Sequence, residues 1–344
     1  MGGLARKATI LTEHKVNELN NNTFVVDAGD LFFSKNILEP GVSREVAIVN
    51  ANIILESFNK MGCTVFSPGS KDFAAGKDFI VDAYSQATFP FISSNIYNKE
   101  TNELFFDPYI IKNTNGKKVA FIGLSSNFQA EGVDVKDPAV ALKTILEEVV
   151  PISDVRILLF SSNDNDIKNI RDKYSDKIAL IIRSHYKARS FDGGTGTPTY
   201  GVGEKGKLLY KFDFDIQDNL SPYTDIAWCT RTIEDKTRRL DNMKKGNMLV
   251  DLKVLFKDDS LQLSKIIKFE NQIEAANQKL ENAINTITFE KIELGKTVSG
   301  RIDILKIVDD GKLKIQEITR LNPDFEIKQK GHGHDHDGDG YPDH

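Results

Sequence analysis

Neither a disulfide framework nor a cysteine metal site can be assembled from this sequence. Its only cysteines, Cys63 and Cys229, stand far apart without redox or metal-ligand spacing, and both read as buried free thiols. Long apolar runs are missing as well: no stretch reaches the roughly 20 residues that a membrane-spanning helix needs. Basic charge is not in excess. Against 45 Lys and Arg stand 50 Asp and Glu, a net charge of -5, which gives no electrostatic footprint for nucleic acid and no attraction to an anionic membrane. The first residues, Met-Gly-Gly-Leu-Ala-Arg, lack an apolar signal segment, and Arg6 stands where a myristoylation signal carries Ser or Thr. Read literally, that start predicts a cytoplasmic protein. What is present is a chain of 344 residues with 40% hydrophobic content, enough for a substantial core and, by length, for about two domains.

The hydrophobic spacing predicts a first helix over 4–20, then a strand over 23–28 that is apolar on both faces and delivers Asp27-Ala-Gly-Asp30 at its carboxyl end. A helix over 43–61 leads to a short strand at Val65 and Phe66, broken by Pro68 and Gly69. Further strands are expected over 89–96, 105–112 and 118–124, with an Asn115-Gly116 turn between the last two. Asp137-Pro138 reads as an N-cap followed by proline at the first helical position, opening a helix to about 150. Strands over 155–160 and 178–182 flank a helix over 164–174. After a Gly-, Ser- and Thr-rich loop over 183–206 comes a strand over 207–216. Strands alternating with helices at this spacing predict an α/β layered domain. Beyond it, Ile226, Cys229, Ile233, Leu240 and Met243, then Ile266, Phe269, Ile273, Ala276, Leu280, Ala283 and Ile287, fall on heptad spacing and predict a coiled-coil-like helical hairpin. Gly246 is expected to break its first helix. Residues 288–318 read as short strands around an Asp309-Asp310-Gly311 turn.

The organising stretch is Met61 to Gly76, where a strand runs into a tight turn carrying Ser70, Lys71 and Asp72 at the place for ligands. Around it the sequence resembles the 5′-nucleotidase branch of the calcineurin-like metallophosphoesterases. Gly2-Gly3-Leu4-Ala5-Arg6 is similar to that family's GG-x-A-R segment, and Val26-Asp27-Ala28-Gly29-Asp30 to its D-A-G-D strand end. Met61 to Gly69 with Phe73 and Gly76 matches the frame of its G-N-H-E-F-x-x-G loop. Pro90 to Ile96 resembles the stretch ending in a-N-i, and Val119 to Leu124 the v-x-x-i-G-l strand. The resemblance implies a two-sheet α/β sandwich flanked by helices over 1–216, with two divalent cations at the strand ends that activate a bridging water and clamp a phosphate. It also implies a periplasmic or extracellular setting. The hairpin over 217–290, a small mixed or β segment over 291–330 and a tail over 331–344 follow it, in place of the family's nucleoside-stacking domain.

Carried over residue by residue, the implied ligand set is thin. Asp30 stands where the bridging carboxylate belongs, while the loop's asparagine, histidine and acid become Ser70, Lys71 and Asp72. The histidine of the later strand end becomes Ser161 or Ser162. The G-G-H-x-H motif becomes Arg183-Ser184-His185-Tyr186-Lys187, and the family's D-x-H has no counterpart. A lysine puts positive charge where a metal site needs a neutral donor, so a dinuclear core centre is not expected. Two readings follow. In one, the domain is a pseudoenzyme that binds or scaffolds, with Lys71, Arg183, Lys187 and Arg189 converging with N–H groups of Gly193 to Gly196 on a phosphate-like anion. The same bases can equally be solvated or paired with Asp30 and Asp72. In the other, a working phosphohydrolase uses Asp30, Asp72, Asn163, Asp164 and His185 as a rebuilt or single-metal site.

Four of the six histidines lie in the last fourteen residues. Asp335, Asp337, Asp339, Gly340 and Asp343 have the alternation that aims oxygens at one Ca²⁺ and resemble thrombospondin-type calcium loops, while His332, His334 and His336 suit Zn²⁺. A polar tail with opportunistic metal affinity is the plainer reading. Partners are expected through the hairpin, either an unidentified protein or a second copy of the chain.

Overall fold

Why the strands are buried on both faces is visible in the layers that enclose them. A computed structural model describes residues 2–14, 22–38, 41, 43–184, 196–203, 206–219, 221–244, 246 and 249–321. Helix α1 (Gly2–Glu13) precedes strand β1 (Val26–Asp27), and helix α2 (Arg44–Met61) crosses over to β2 (Val65–Phe66), which lies parallel to β1. Gly62 ends α2 in the left-handed region at φ 75°, where a side chain would be strained. Helix α3 (Lys77–Gln86) follows, and single bridges from Phe66 to Phe91 and from Ile92 to Asp107 widen this layer. The strand expected over 89–96 is reduced to those bridges, and regular pairing begins only with β3 (Ile96–Asn98).

Strand β4 (Tyr109–Thr114) turns through Asn115 and Gly116, both at positive φ, into the antiparallel β5 (Lys117–Ser125). Strand β6 (Val133–Val135) returns to pair with β3. Helix α4 (Pro138–Val149) starts at Asp137, whose carboxylate accepts the N–H groups of Ala139 and Val140 as the sequence predicts. Then come β7 (Val155–Ser161), α5 (Asp164–Lys173), β8 (Leu180–Ser184) and the short β9 (Thr199–Gly201), giving a sheet of order β4-β5-β7-β8-β9. Alternate residues feed two cores. Ala120, Ile122, Leu158 and Phe160 pack outward with Leu142, Leu146, Ile167 and Ile170 of α4 and α5. Val119, Phe121, Ile157 and Leu159 pack inward with Ala28, Val65 and Ile92 of the first layer.

Strand β10 (Leu208–Asp215) and β11 (Tyr223–Asp225) both pair with β12 (Asn285–Glu293), so the helices between them are an excursion from one small sheet. That excursion is the predicted hairpin: α6 (Ile226–Met243), the single turn α7 (Leu252–Leu255) and α8 (Ser260–Glu281). Gly246, at φ 88°, lies just past the end of α6. Ile287 is a buried strand residue and not a heptad position. The Asp309-Asp310-Gly311 turn with its flanking strands is not formed. Those residues lie inside helix α9 (Ile302–Leu321), which packs on α2 through Gly311, where an added Cβ would sit 2.2 Å from Cδ1 of Ile53. The glycine is there for close helix approach, a use that looks identical to a turn signal in sequence. No described helix is long and apolar enough to cross a membrane.

Candidate functional site at the strand ends

The carboxyl ends of β1, β2, β7 and β8 meet at Asp30. Beneath it, Asp27 accepts the Gly29 N–H at 3.0 Å, and Gly29 adopts φ 107°. Burial pushes the Asp27 carboxyl up and the Lys7 amine behind it down. Asp30 itself sits at φ 58°, in the left-handed region that aspartate and asparagine enter more readily than other side chains. Its Oδ1 accepts the Lys71 N–H at 2.9 Å, and its Oδ2 accepts the hydroxyls of Ser184 at 3.0 Å and Ser161 at 3.4 Å. Gly69 closes the space: a Cβ there would lie 2.5 Å from Ser161 Oγ and 2.6 Å from Asp30 Oδ1.

Asp72 turns away from this opening and into the backbone. Its Oδ1 accepts the N–H groups of Leu31 at 2.8 Å and Phe32 at 2.9 Å, and its Oδ2 those of Asp30 at 2.7 Å and Gly69 at 2.8 Å. One fully buried carboxylate thereby ties the loop after β1 to the loop after β2. Burial first, and then the Asp30 charge, push its carboxyl up to about 7, against the pull of those N–H groups. Lys71 is buried beside it, and Ser70 donates to Asn36 Oδ1 at 3.2 Å.

The remaining sequence candidates divide by strand alternation. Ser161 and Ser184 face inward to Asp30, so Ser162 and Arg183 face the opposite side of the sheet, toward α5. There the buried Arg183 donates from Nε to Ser162 Oγ at 2.7 Å and from Nη2 to Asp164 Oδ1 at 3.0 Å. Asn163 caps α5, accepting the N–H groups of Asn165 and Asp166 at 3.0 and 2.9 Å. The structure thus brings Asp30, Ser70, Lys71, Asp72, Ser161 and Ser184 together, and sets Arg183, Asn163 and Asp164 on the far face. His185, Lys187, Arg189, Gly193, Gly194 and the tail residues His332, His334, His336, Asp335, Asp337, Asp339 and Asp343 lie outside the described residues.

Sequence reading missed a second hydroxyl–carboxylate group, in which Ser126 Oγ donates to Asp166 Oδ2 at 2.6 Å and accepts the Asn163 N–H at 2.9 Å. Its signal was available: Ser93-Ser94, Ser125-Ser126 and Ser161-Ser162 each end an apolar run. Two divalent cations need an array of carboxylate and imidazole donors. Among the described residues no group of three or more His, Cys, Asp and Glu is arranged so that it could hold a metal ion, and Asp72 spends both oxygens on N–H groups.

No family model matches the chain. It is 27% identical over 155 residues to a 5′-nucleotidase of Vibrio parahaemolyticus, covering 43% of this chain and 27% of that protein. It is 20% identical over 348 residues to a 5′-nucleotidase of Vibrio cholerae, covering 86% of this chain and 61% of that protein. The chain therefore spans less than two thirds of the length of either relative. Among solved structures, the calcineurin-like phosphoesterase YfkN from Bacillus subtilis is similar with a TM-score of 0.57 at 16% identity, over 92% of this chain and 90% of that one. The sulfate thiohydrolase SoxB of Thermus thermophilus is similar at 0.51 and 15% identity over 62% of this chain and 40% of that one.

Proposed function

We propose that this chain, a relative of the 5′-nucleotidase branch of the calcineurin-like metallophosphoesterases with their fold, works as a binding or scaffold module and not as a two-metal phosphohydrolase. One observation carries the reading. The acid that the resemblance places in the catalytic loop, Asp72, has its oxygens filled by four backbone N–H groups and acts as a brace between loops. The carboxylate left at the opening, Asp30, is held by two serine hydroxyls and a backbone N–H where a metal centre would need imidazole and amide donors. Metal binding belongs, in this reading, to the Asp- and His-rich tail, and an extracytoplasmic setting, where Ca²⁺ is abundant, suits it.

The test compares the full chain with a chain truncated after Lys330. Metal content is measured after dialysis against Ca²⁺- and Zn²⁺-containing buffer, and hydrolysis is assayed on a nucleoside monophosphate and an aryl phosphate. The expected result is metal that leaves with residues 331–344 and no hydrolysis by either chain. A truncated chain that keeps stoichiometric metal and cleaves a phosphate ester overturns the reading.

A further inference from the structure

Between strand β9 and the start of helix α6 lies a buried hydroxyl–carboxylate pair that belongs neither to the strand-end site nor to the seam of the hairpin. Tyr200, buried in β9, donates its hydroxyl to Oδ2 of Asp225, which is buried at the end of β11. The other oxygen of Asp225 caps α6, accepting the Trp228 N–H at 2.9 Å. One carboxylate thus joins the edge of the five-stranded sheet to the first turn of the hairpin. The Tyr200 ring is fixed as well, stacked on Phe289 of β12 at 4.7 Å between centres and meeting Phe212 of β10 edge-on at 4.8 Å. Burial first, and then the Asp225 charge, push the Tyr200 hydroxyl up, so it keeps its proton and remains the donor. Away from water such a bond is strong, and leaving either partner unmatched is costly.

What the pair connects decides what it does. Tyr200 is the sheet partner of Ile182 in β8, and two residues further along β8 Ser184 donates to Asp30 Oδ2 at 3.0 Å. From the Asp30 opening to the hairpin there runs a continuous series of contacts: carboxylate, serine hydroxyl, strand, one rung of sheet, tyrosine hydroxyl, carboxylate and helix cap. On the hairpin side the same Trp228 carries the Lys279 ammonium of α8 at 5.1 Å from its ring centre, so the capped residue also packs under the second helix. The helices are an excursion between β11 and β12, and a rotation about that base must either break the bond from Tyr200 to Asp225 or draw β9 with it. Strand β9 is three residues long and has a strand neighbour on one side, so it yields to such a pull more readily than the strands inside the sheet. We propose that Tyr200 and Asp225 form a latch through which the hairpin and the Asp30 opening set each other's position, so that engagement of the helical arm alters the strand ends and occupation of the strand ends alters the arm. The latch holds whichever ligand the opening takes, with or without metal.

The experiment is amide hydrogen exchange read by mass spectrometry on the full chain. Wild type is compared with Tyr200→Phe, which removes only the hydroxyl, and with Ser184→Ala, which cuts the series at its other end. Peptides containing Trp228 report on the base of the hairpin, peptides containing Lys71, whose N–H is bonded to Asp30, report on the opening, and peptides from the middle of α2 report on global unfolding. Tyr200→Phe is expected to speed exchange about tenfold at Lys71 as well as at Trp228, and Ser184→Ala to speed it severalfold at Trp228, with α2 unchanged in both. Faster exchange at Trp228 with none at Lys71 makes the pair a local anchor and overturns the proposal. Where Tyr200→Phe speeds α2 by the same factor, Ser184→Ala decides: exchange at Trp228 that matches the wild type overturns the latch, and exchange that rises there while α2 holds supports it.

Discussion

If Asp72 braces two loops, Asp72→Ala and Asp72→Asn must differ strongly, although both delete the same charge. Alanine strips the acceptor from the N–H groups of Asp30, Leu31, Phe32 and Gly69. Asparagine keeps one oxygen and so retains two of the four bonds, while its amide N–H₂ stands as a donor against the other two N–H groups, which offsets part of that advantage. The gain from removing a carboxylate that burial and Asp30 push up to about 7 is common to both variants and cancels in the comparison. What remains is two buried N–H groups at about 1–3 kcal/mol each, or about 2–4 kcal/mol once water enters the space left by alanine. At roughly 2 °C per kcal/mol for a chain of this size, Asp72→Ala melts about 4–8 °C below Asp72→Asn. Thermal denaturation followed by circular dichroism at neutral pH reads this directly. Melting points within about 1 °C of each other would refute the brace and return Asp72 to the list of groups free to hold a ligand.

Asp30→Asn is expected to change stability by less than about 1 kcal/mol, because the hydroxyls of Ser161 and Ser184 can rotate to accept from the amide while Lys71 N–H keeps its oxygen, and asparagine tolerates φ 58°; urea denaturation checks it. Gly311→Ala forces Cβ to within 2.2 Å of Ile53 Cδ1 and should cost about 1–3 kcal/mol despite alanine's better helix propensity, with partial rescue by Ile53→Val measured in a double-mutant cycle. Gly29→Ala, with φ 107° and Ser67 O only 2.6 Å from the new Cβ, should cost more than about 2 kcal/mol and loosen the β1 loop, read by hydrogen exchange at Leu31 and Phe32. Asp235 on α6, held down to about 2 chiefly by its bond to Lys236 and then by Arg239, stabilises the hairpin above its unfolded pKa and loses that contribution as pH falls from about 4 through about 2. Because the pair is partly exposed, Asp235→Asn should cost about 0.2–1 kcal/mol at pH 7 and progressively less as pH falls toward about 2.

Much of the order of strands and helices up to 216 was legible because a doubly buried strand writes itself as a short apolar run and a flanking helix as a 3.6-residue stripe; helix α3 and the three-residue strands β6 and β9 were not read. The Asn115-Gly116 turn and the Asp137-Pro138 cap were legible because their chemistry is local. The hairpin was legible through its heptads, but its end was not: Ile287 continues the heptad count, and only pairing with Phe214 of β10 makes it a strand residue. Helix α9 was lost for a related reason. Its apolar residues face α1 and α2, which the local sequence cannot know, while Asp309-Asp310-Gly311 looks like a turn until Ile53 is placed against the glycine.

For the site, the sequence determined which residue types stand at the strand ends: an aspartate after β1, a lysine and an aspartate after β2, serines after β7 and β8. Residue type is a property of the chain, and it was enough to expect a thin set of metal-ligating side chains there. Direction is not. Whether Asp72 faces an opening or four backbone N–H groups depends on where the β1 loop comes to rest, and whether Arg183 joins Lys71 or pairs with Asp164 depends on the parity of β8 against β7. Those choices are made between segments more than a dozen residues apart, by register and burial, and only the tertiary structure decided them.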